Sequence, residues 1–357
     1  MRSRGWAATP TPRRIFYIVG VVLVAGGLAT LPALFVSLLY GETDTALHFA
    51  ATAVATAGAG AAIVAVVGRP ERLRPKDSFA GVAVAWVAVI AFGSIPFLLD
   101  GTLGFTDSLF ESTAGYTTTG ATAFENLAEV TRGLLFWRAT MQWLGGMGII
   151  VLSIAVLPLV GAGGLQLARA ESPGPDPDRL TPRFRGTALR LWGFYAVFTV
   201  IVAVFLALGD MSVFEAVAHA LTTTSIGGFS TESGSVGAFL PYTQWVIIVA
   251  MVVAGVSFTL HIRGLRAPGV YLRRPQFRYY LTSLGIGIAM LMIALYLDGT
   301  GIPVREAIFT AVATITGTGF VVTNYAVFPA AALSVIMLMM FVGGMSGSTT
   351  GALKTYR

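Results

Sequence analysis

Residues 222–231 read TTTSIGGFST. The stretch has no charge, carries four threonines and two adjacent glycines, and lies between two long apolar runs. It is too polar to face lipid and too short to be a domain. Whatever accounts for it decides the architecture around it.

The surroundings are those of a bilayer. Of the 357 residues, 55% are hydrophobic and only 11% charged, whereas a soluble domain carries roughly 25% charged residues. Cysteine is absent, which excludes disulfides, thiolate metal sites and cysteine nucleophiles, and three histidines leave little for a metal centre. A helix needs about 20 apolar residues to cross the hydrocarbon core. Runs of that length occur near 15–39, 46–67, 79–99, 134–160, 188–208, 243–262, 280–297 and 331–352, which predicts eight spans. The first run is too long for a signal peptide and reads as a retained span. Threading the chain through these spans puts 20 of the 23 basic residues on one side, all but Arg132, Arg138 and Arg305, and 12 of the 17 acids on the other. The positive-inside rule makes the basic side cytoplasmic, with the N-terminus inside a multi-pass cell-membrane protein. Topology thus accounts for the net charge of +6 without any nucleic-acid partner.

The outer connections repeat one unit. Asp107-Ser-Leu-Phe-Glu leads to Gly120, Glu215-Ala-Val-Ala-His to Gly228, and Glu306-Ala-Ile-Phe-Thr to Gly319, each acid standing 13 residues before its glycine. Ten residues after each acid stands a small hydroxyl: Thr117, Ser225 or Thr316. Three copies at one spacing mark an internally repeated membrane architecture. From acid to hydroxyl is about half a bilayer as helix, so each segment enters without crossing. Ser212-x-x-Glu215 has capping-box spacing, and an acid in the first turn suits a helix N-terminus. The chain must then return as irregular backbone, which a membrane interior tolerates only where protein buries it or it lines a wet cavity. TTTSIGGFST reads as an extended strand beside a water-filled path. Rings of carbonyls from such strands replace a cation's hydration shell, and the negative ends of the short helices favour a cation. Small-residue clusters recur in the following spans: Gly145-Gly146-Met147-Gly148, Ala254-Gly255-Val256-Ser257 and Gly343-Gly344-Met345-Ser346. The first two suit close helix crossing. The third opens GGMSGSTTG (343–351), too rich in glycine for a stable helix, and reads as a flexible gate below the strands.

TTTGAT (117–122), SIGGFST (225–231), the run from Phe136 to Gly164, RAESPGP (169–175) and GGMSGSTTGALK (343–354) together resemble the Trk/Ktr/HKT potassium transporter superfamily, most closely its TrkH-type membrane subunit. The resemblance runs from about residue 15 to the last residue. It implies an all-α polytopic membrane protein with helix–pore-loop–helix units around a pseudo-fourfold pore and two extra N-terminal helices. The units fall at 1–77 (N-terminal helices), 78–165, 166–265 and 266–357, with a fourth repeat expected outside this chain. It further implies K⁺ uptake, a homodimer, no covalent cofactor, and a cytoplasmic TrkA-like regulatory subunit that carries the nucleotide. The filter positions carried over are Thr118, Thr119 and Gly120; Ile226, Gly227 and Gly228; and Gly317, Thr318 and Gly319. The gating loop falls on Gly343, Gly344, Ser346, Gly347, Ser348, Thr349, Thr350 and Gly351. Glycine at all three key positions resembles the potassium-selective type.

Other readings compete. A sodium-preferring or non-conducting membrane subunit and a transporter of another solute share much of the pattern. Gly344-Met345-Ser346-Gly347 matches the G-x-S-G signature of intramembrane serine proteases, but that chemistry needs a base within reach of the serine, and only His261 lies on that side. A non-enzymatic reading is therefore preferred. Asp107, Glu111, Glu215, Glu232 and Glu306 are read as charges at the mouth, and His219 as packed or bonded behind the strands. Gln142 either bonds a neighbouring helix or faces the path. Trp137, Trp143 and Trp245 are read as packing or interface aromatics.

Overall fold

The computed structural model describes residues 11–70, 75–148 and 184–355. It is all-α, with fifteen α-helices and no strand among the described residues. In chain order they are α1 (Pro12–Ala29), α2 (Leu31–Leu39), α3 (Thr43–Val67), α4 (Pro75–Gly93), α5 (Ile95–Asp100), α6 (Phe105–Tyr116) and α7 (Arg132–Gly146). There follow α8 (Phe184–Ala207), α9 (Val213–Thr224), α10 (Pro241–Ala254), α11 (Phe258–Gly264), α12 (Val270–Arg273), α13 (Pro275–Asp298), α14 (Val304–Thr316) and α15 (Ala330–Met339).

Five stretches are long and apolar enough to cross a membrane: Pro12–Leu39, Thr43–Val67, Ala80–Asp100, Ala188–Ala207 and Pro275–Asp298. The expected uninterrupted runs are broken in places. Pro32 and Pro96 enter the first turns of α2 and α5, and so divide the first and third spans into two helices each. The sixth span is the pair α10 and α11, bent by 96°. The eighth leaves the helix at Met339, ahead of its glycines. The fourth is described to Gly146; its continuation toward residue 160, like the segment 169–175, lies outside the described residues. Large apolar side chains such as Val54, Val66, Val87 and Tyr296 face outward, as surfaces solvated by lipid do.

The described residues form two compact units. One comprises those within Met1–Thr113, Val130–Met141 and Gly148–Arg190, the other those within Ala114–Glu129, Gln142–Met147 and Leu191–Arg357. In the first, α1 and α3 cross backbone to backbone: a Cβ on Gly20 would lie 2.8 Å from the Gly60 carbonyl oxygen. Contact that close needs small residues. The second has an extended core that includes Leu206, Ile247, Met251, Tyr280, Phe309 and Phe320. All three Thr/Gly loops lie in this second unit.

Candidate functional site

The three short helices are the repeat made visible. Helices α6, α9 and α14 have 12, 12 and 13 residues, and the acid is the third residue of each. At about 1.5 Å per residue they reach 18 to 20 Å, less than the hydrocarbon thickness. In α9 the expected capping box is formed: Ser212 Oγ accepts the Glu215 N–H and Glu215 Oε2 accepts the Ser212 N–H.

Each helix ends the same way. The residue 11 positions after the acid is left-handed: Thr118 at φ +55°, Ile226 at +56°, Gly317 at +78°. Its N–H bonds the carbonyl three residues back, and the next N–H (Thr119, Gly227, Thr318) reaches the carbonyl five back at 2.8–2.9 Å. This is a Schellman closure, which satisfies carbonyls that a helix end would otherwise leave open. Two positions later Gly120, Gly228 and Gly319 are left-handed again, at +76°, +81° and +77°. TTTSIGGFST is therefore not the extended strand expected from its composition. Thr222–Thr224 finish α9, Ser225 is its cap, and a left-handed–other–left-handed alternation begins at Ile226. β-Branched residues rarely adopt φ > 0, which is why Thr118 and Ile226 did not announce themselves.

The loops pack in order. A Cβ on Gly120 would overlap the Gly227 carbonyl oxygen, and one on Gly228 the Thr318 carbonyl oxygen; beside Gly319 the space is open. Of the nine carbonyls of residues 118–120, 226–228 and 317–319, only that of Gly227 accepts a hydrogen bond among the described residues. At the intervening position Thr119 Oγ1 bonds Thr117 Oγ1 at 2.7 Å and Thr318 Oγ1 bonds Thr316 Oγ1 at 2.8 Å. In the second loop that position is Gly227, and the side chain of Gln142 occupies the space instead. Gln142 is fully buried; its Nε2 donates to the Gly227 carbonyl at 2.7 Å and its Oε1 accepts the Phe229 N–H at 3.0 Å. Gln142 therefore bonds the backbone of the second loop rather than the neighbouring helix that the sequence suggested.

His219 is buried behind the second loop, as expected, with Nε2 2.9 Å from Ser230 Oγ and Nδ1 2.9 Å from the Glu215 carbonyl. Trp137 packs with its Nε1 on the Gly93 carbonyl at 3.0 Å, and Trp143 stacks on Tyr195. Glu111 corrects its sequence reading. It is not a mouth charge but is fully buried against the equally buried Arg138 at 2.6 Å. One helical turn beyond the exposed Asp107, it lies too deep for a lone charge, and Arg138 makes that depth tenable. Glu306 bonds Thr323 and lies 3.4 Å from Arg305, while the Glu232 N–H donates to Ser230 Oγ.

GGMSGSTTG is non-helical throughout. Gly343 and Gly347 are left-handed, and the segment rests on the α10–α11 bend: the Met345 N–H donates to the Gly255 carbonyl at 2.9 Å, and the Phe258 N–H to the Gly347 carbonyl at 3.0 Å. Thr349 Oγ1 donates to the carbonyl of Thr224, the last residue of α9, at 3.2 Å. Gly344 N–H bonds Thr350 Oγ1, and Ser348 Oγ lies 2.7 Å from the same oxygen. His261 is no base for Ser346, because its nitrogens are engaged by Tyr271 Oη at 3.0 Å and the Val253 carbonyl at 2.9 Å.

Comparison with known proteins gives this geometry a setting. The TrkH family, described as "Cation transport protein", matches residues 48–296 and 298–357. The Trk system potassium uptake protein TrkH of Halomonas elongata is 36% identical over 97% of this chain and 73% of its own length. Its namesake in Escherichia coli K12 is 35% identical over 97% and 74%. The crystal structure of the potassium transporter TrkH from Vibrio parahaemolyticus superposes with a TM-score of 0.83 at 31% identity, covering 96% of this chain and 72% of that one. A polytopic all-α chain with three registered loops, matched along nearly its whole length by these transporters, belongs to the TrkH cation-transport family.

Proposed function

We propose that this chain is the ion-conducting subunit of a Trk-type potassium uptake system, a transporter rather than an enzyme. Its filter is lined by Thr118–Gly120, Ile226–Gly228 and Gly317–Gly319. The observation that carries the reading is the common register of the three loops, which leaves carbonyls at equivalent positions without a partner among the described residues. Such oxygens are what a dehydrated cation needs, and the C-terminal ends of α6, α9 and α14 add negative potential beside them. The open space beside Gly319 is where a fourth strand would complete the cyclic packing. A homodimer and a cytoplasmic nucleotide-binding partner of the Trk system complete the proposal, with the N-terminus on the basic, cytoplasmic side.

The test is rubidium and sodium uptake by the full-length transporter in proteoliposomes. Gly228→Ser is expected to abolish preference for K⁺ over Na⁺. Retained preference removes the second loop from the filter.

Gly343–Gly351 acts in this proposal as the gate, and the α10–α11 bend on which it rests offers a route to a second position. In the bent state the Gly255 carbonyl and Phe258 N–H bond the loop. In a straightened helix the same groups would bond the Thr259 N–H and Ala254 carbonyl, the ordinary i to i+4 partners. Straightening would thus exchange loop partners for helix partners at these two groups and release the Met345 N–H and the Gly347 carbonyl, so a partner that binds one state more tightly shifts the balance by its differential affinity. Deleting Ser346–Ser348 is expected to raise flux and weaken partner control while leaving selectivity intact. Unchanged flux with normal control would make the segment a packing kink.

A further inference from the structure

We infer that Gln142 is a positioning residue for ion selectivity: its amide aims the Gly228 carbonyl into the ion path. The inference rests on the filter reading above and adds to it a residue outside the three loops.

The argument starts from the peptide plane. No peptide bond among the described residues is cis, and across a trans peptide the C=O and the following N–H point in opposite directions. The Phe229 N–H shares its plane with the Gly228 C=O. Gln142 Oε1 accepts that N–H at 3.0 Å, so the Gly228 carbonyl points away from Gln142. The second bond, from Nε2 to the Gly227 carbonyl at 2.7 Å, fixes the preceding plane. That oxygen turns toward α7 rather than away from it. One side chain thereby sets two consecutive planes of one strand. The Gly228 oxygen, which has no partner among the described residues, is left for the ion.

Three features make the arrangement specific. Gln142 is fully buried, so water does not compete for either bond. A Cβ on residue 227 would overlap the Gln142 amide, so the absence of a side chain there admits the strap. Counted back from the small-residue clusters, the equivalent positions in the other repeats are Met251 and Met340, which carry no amide. Among the three repeats of this chain the strap therefore belongs to one strand only.

The experiment uses the full-length transporter in proteoliposomes, reading the ratio of rubidium to sodium uptake beside the thermal midpoint. Gln142→Met places the residue of the other repeats here at similar volume. It is expected to lower the uptake ratio about tenfold, as for the loss of two buried hydrogen bonds, while the protein stays folded. Gln142→Glu keeps an acceptor for the Phe229 N–H and is expected to discriminate better than Gln142→Met. Should Gln142→Met not fold, Gln142→Asn, too short to span both bonds, takes its place with the same expected loss. A folded Met or Asn variant with the native ratio overturns the proposal, as does a Glu variant no better than the Met variant. Gly228→Ser runs alongside. If it leaves the ratio intact, the filter reading itself has failed; if it destroys the ratio and the Gln142 variants do not, only the strap has.

Discussion

The second and third loops of the site have the same backbone path and different means of holding it. In the second loop Ile226 and Gly227 are buried, the Gly227 carbonyl lies against Gly120, Gly228 lies against the Thr318 carbonyl, and Gln142 straps the loop from behind. Gly317 and Gly319 are exposed, with open space where a side chain would go. The Met251 that corresponds to Gln142 is fully buried in the apolar core with Ile315 and Phe320. No side chain of α10 hydrogen-bonds residues 317–319 among the described residues. The third loop instead carries a threonine at its centre, Thr318, which bonds its own helix end through Thr316. A repeated backbone motif thus tolerates two solutions, a long-range polar clamp and a local hydroxyl pair.

The comparison predicts unequal roles for equivalent glycines. At Gly228 a side chain meets two penalties, a left-handed backbone and overlap with the Thr318 carbonyl. The carbonyl belongs to backbone and cannot swing away, so Gly228→Ser should eliminate selectivity. At Gly319 only the first penalty applies, worth about 1–2 kcal/mol for an L-residue in that region. Gly319→Ser should therefore leave measurable preference for K⁺ in the same uptake assay, with the midpoint lowered by a few degrees. Equal loss in both variants would mean that another chain segment packs beside Gly319 as tightly as Thr318 does beside Gly228.

Much of this was legible before any coordinates. The helix starts were readable because an acid in a first turn and a capping box are local signals, and the three short helices lie where the 13-residue register put them. The break at Gly343–Gly351 followed from composition alone. The missed parts depend on partners distant in sequence. Gln142 and Gly227 are 85 residues apart, so either residue alone shows only a polar group in an apolar span. Arg138 stood out as an exception to the charge pattern and Glu111 read as a mouth charge, because nothing in the sequence pairs two residues 27 positions apart. Ile226 and Thr118 contradict their own propensity, because the Schellman bonds and the surrounding packing override a β-branched preference for negative φ.

The smallest expected effect concerns the helix behind the third loop. Helix α10 is anchored outside the membrane segments by Asp210, whose carboxylate accepts the Leu240 N–H at 2.7 Å and the Thr243 hydroxyl at 2.6 Å. Partial burial pushes this carboxyl up, but the bonds from Thr243 and Leu240 outweigh it and hold the group below its ordinary value. The lowered group stabilises the fold above the ordinary carboxylate range, near pH 4, and that contribution disappears as pH falls through the lower folded value. Asp210→Asn should therefore lower the thermal midpoint slightly at neutral pH, and the two proteins should converge in acid. Selectivity should not change, because among the described residues α10 sends no hydrogen bond to the third loop. If Asp210→Asn shifts the rubidium-to-sodium ratio as far as Gln142→Met does, apolar packing transmits position to a filter strand as firmly as a pair of hydrogen bonds, and the distinction between the two loops fails.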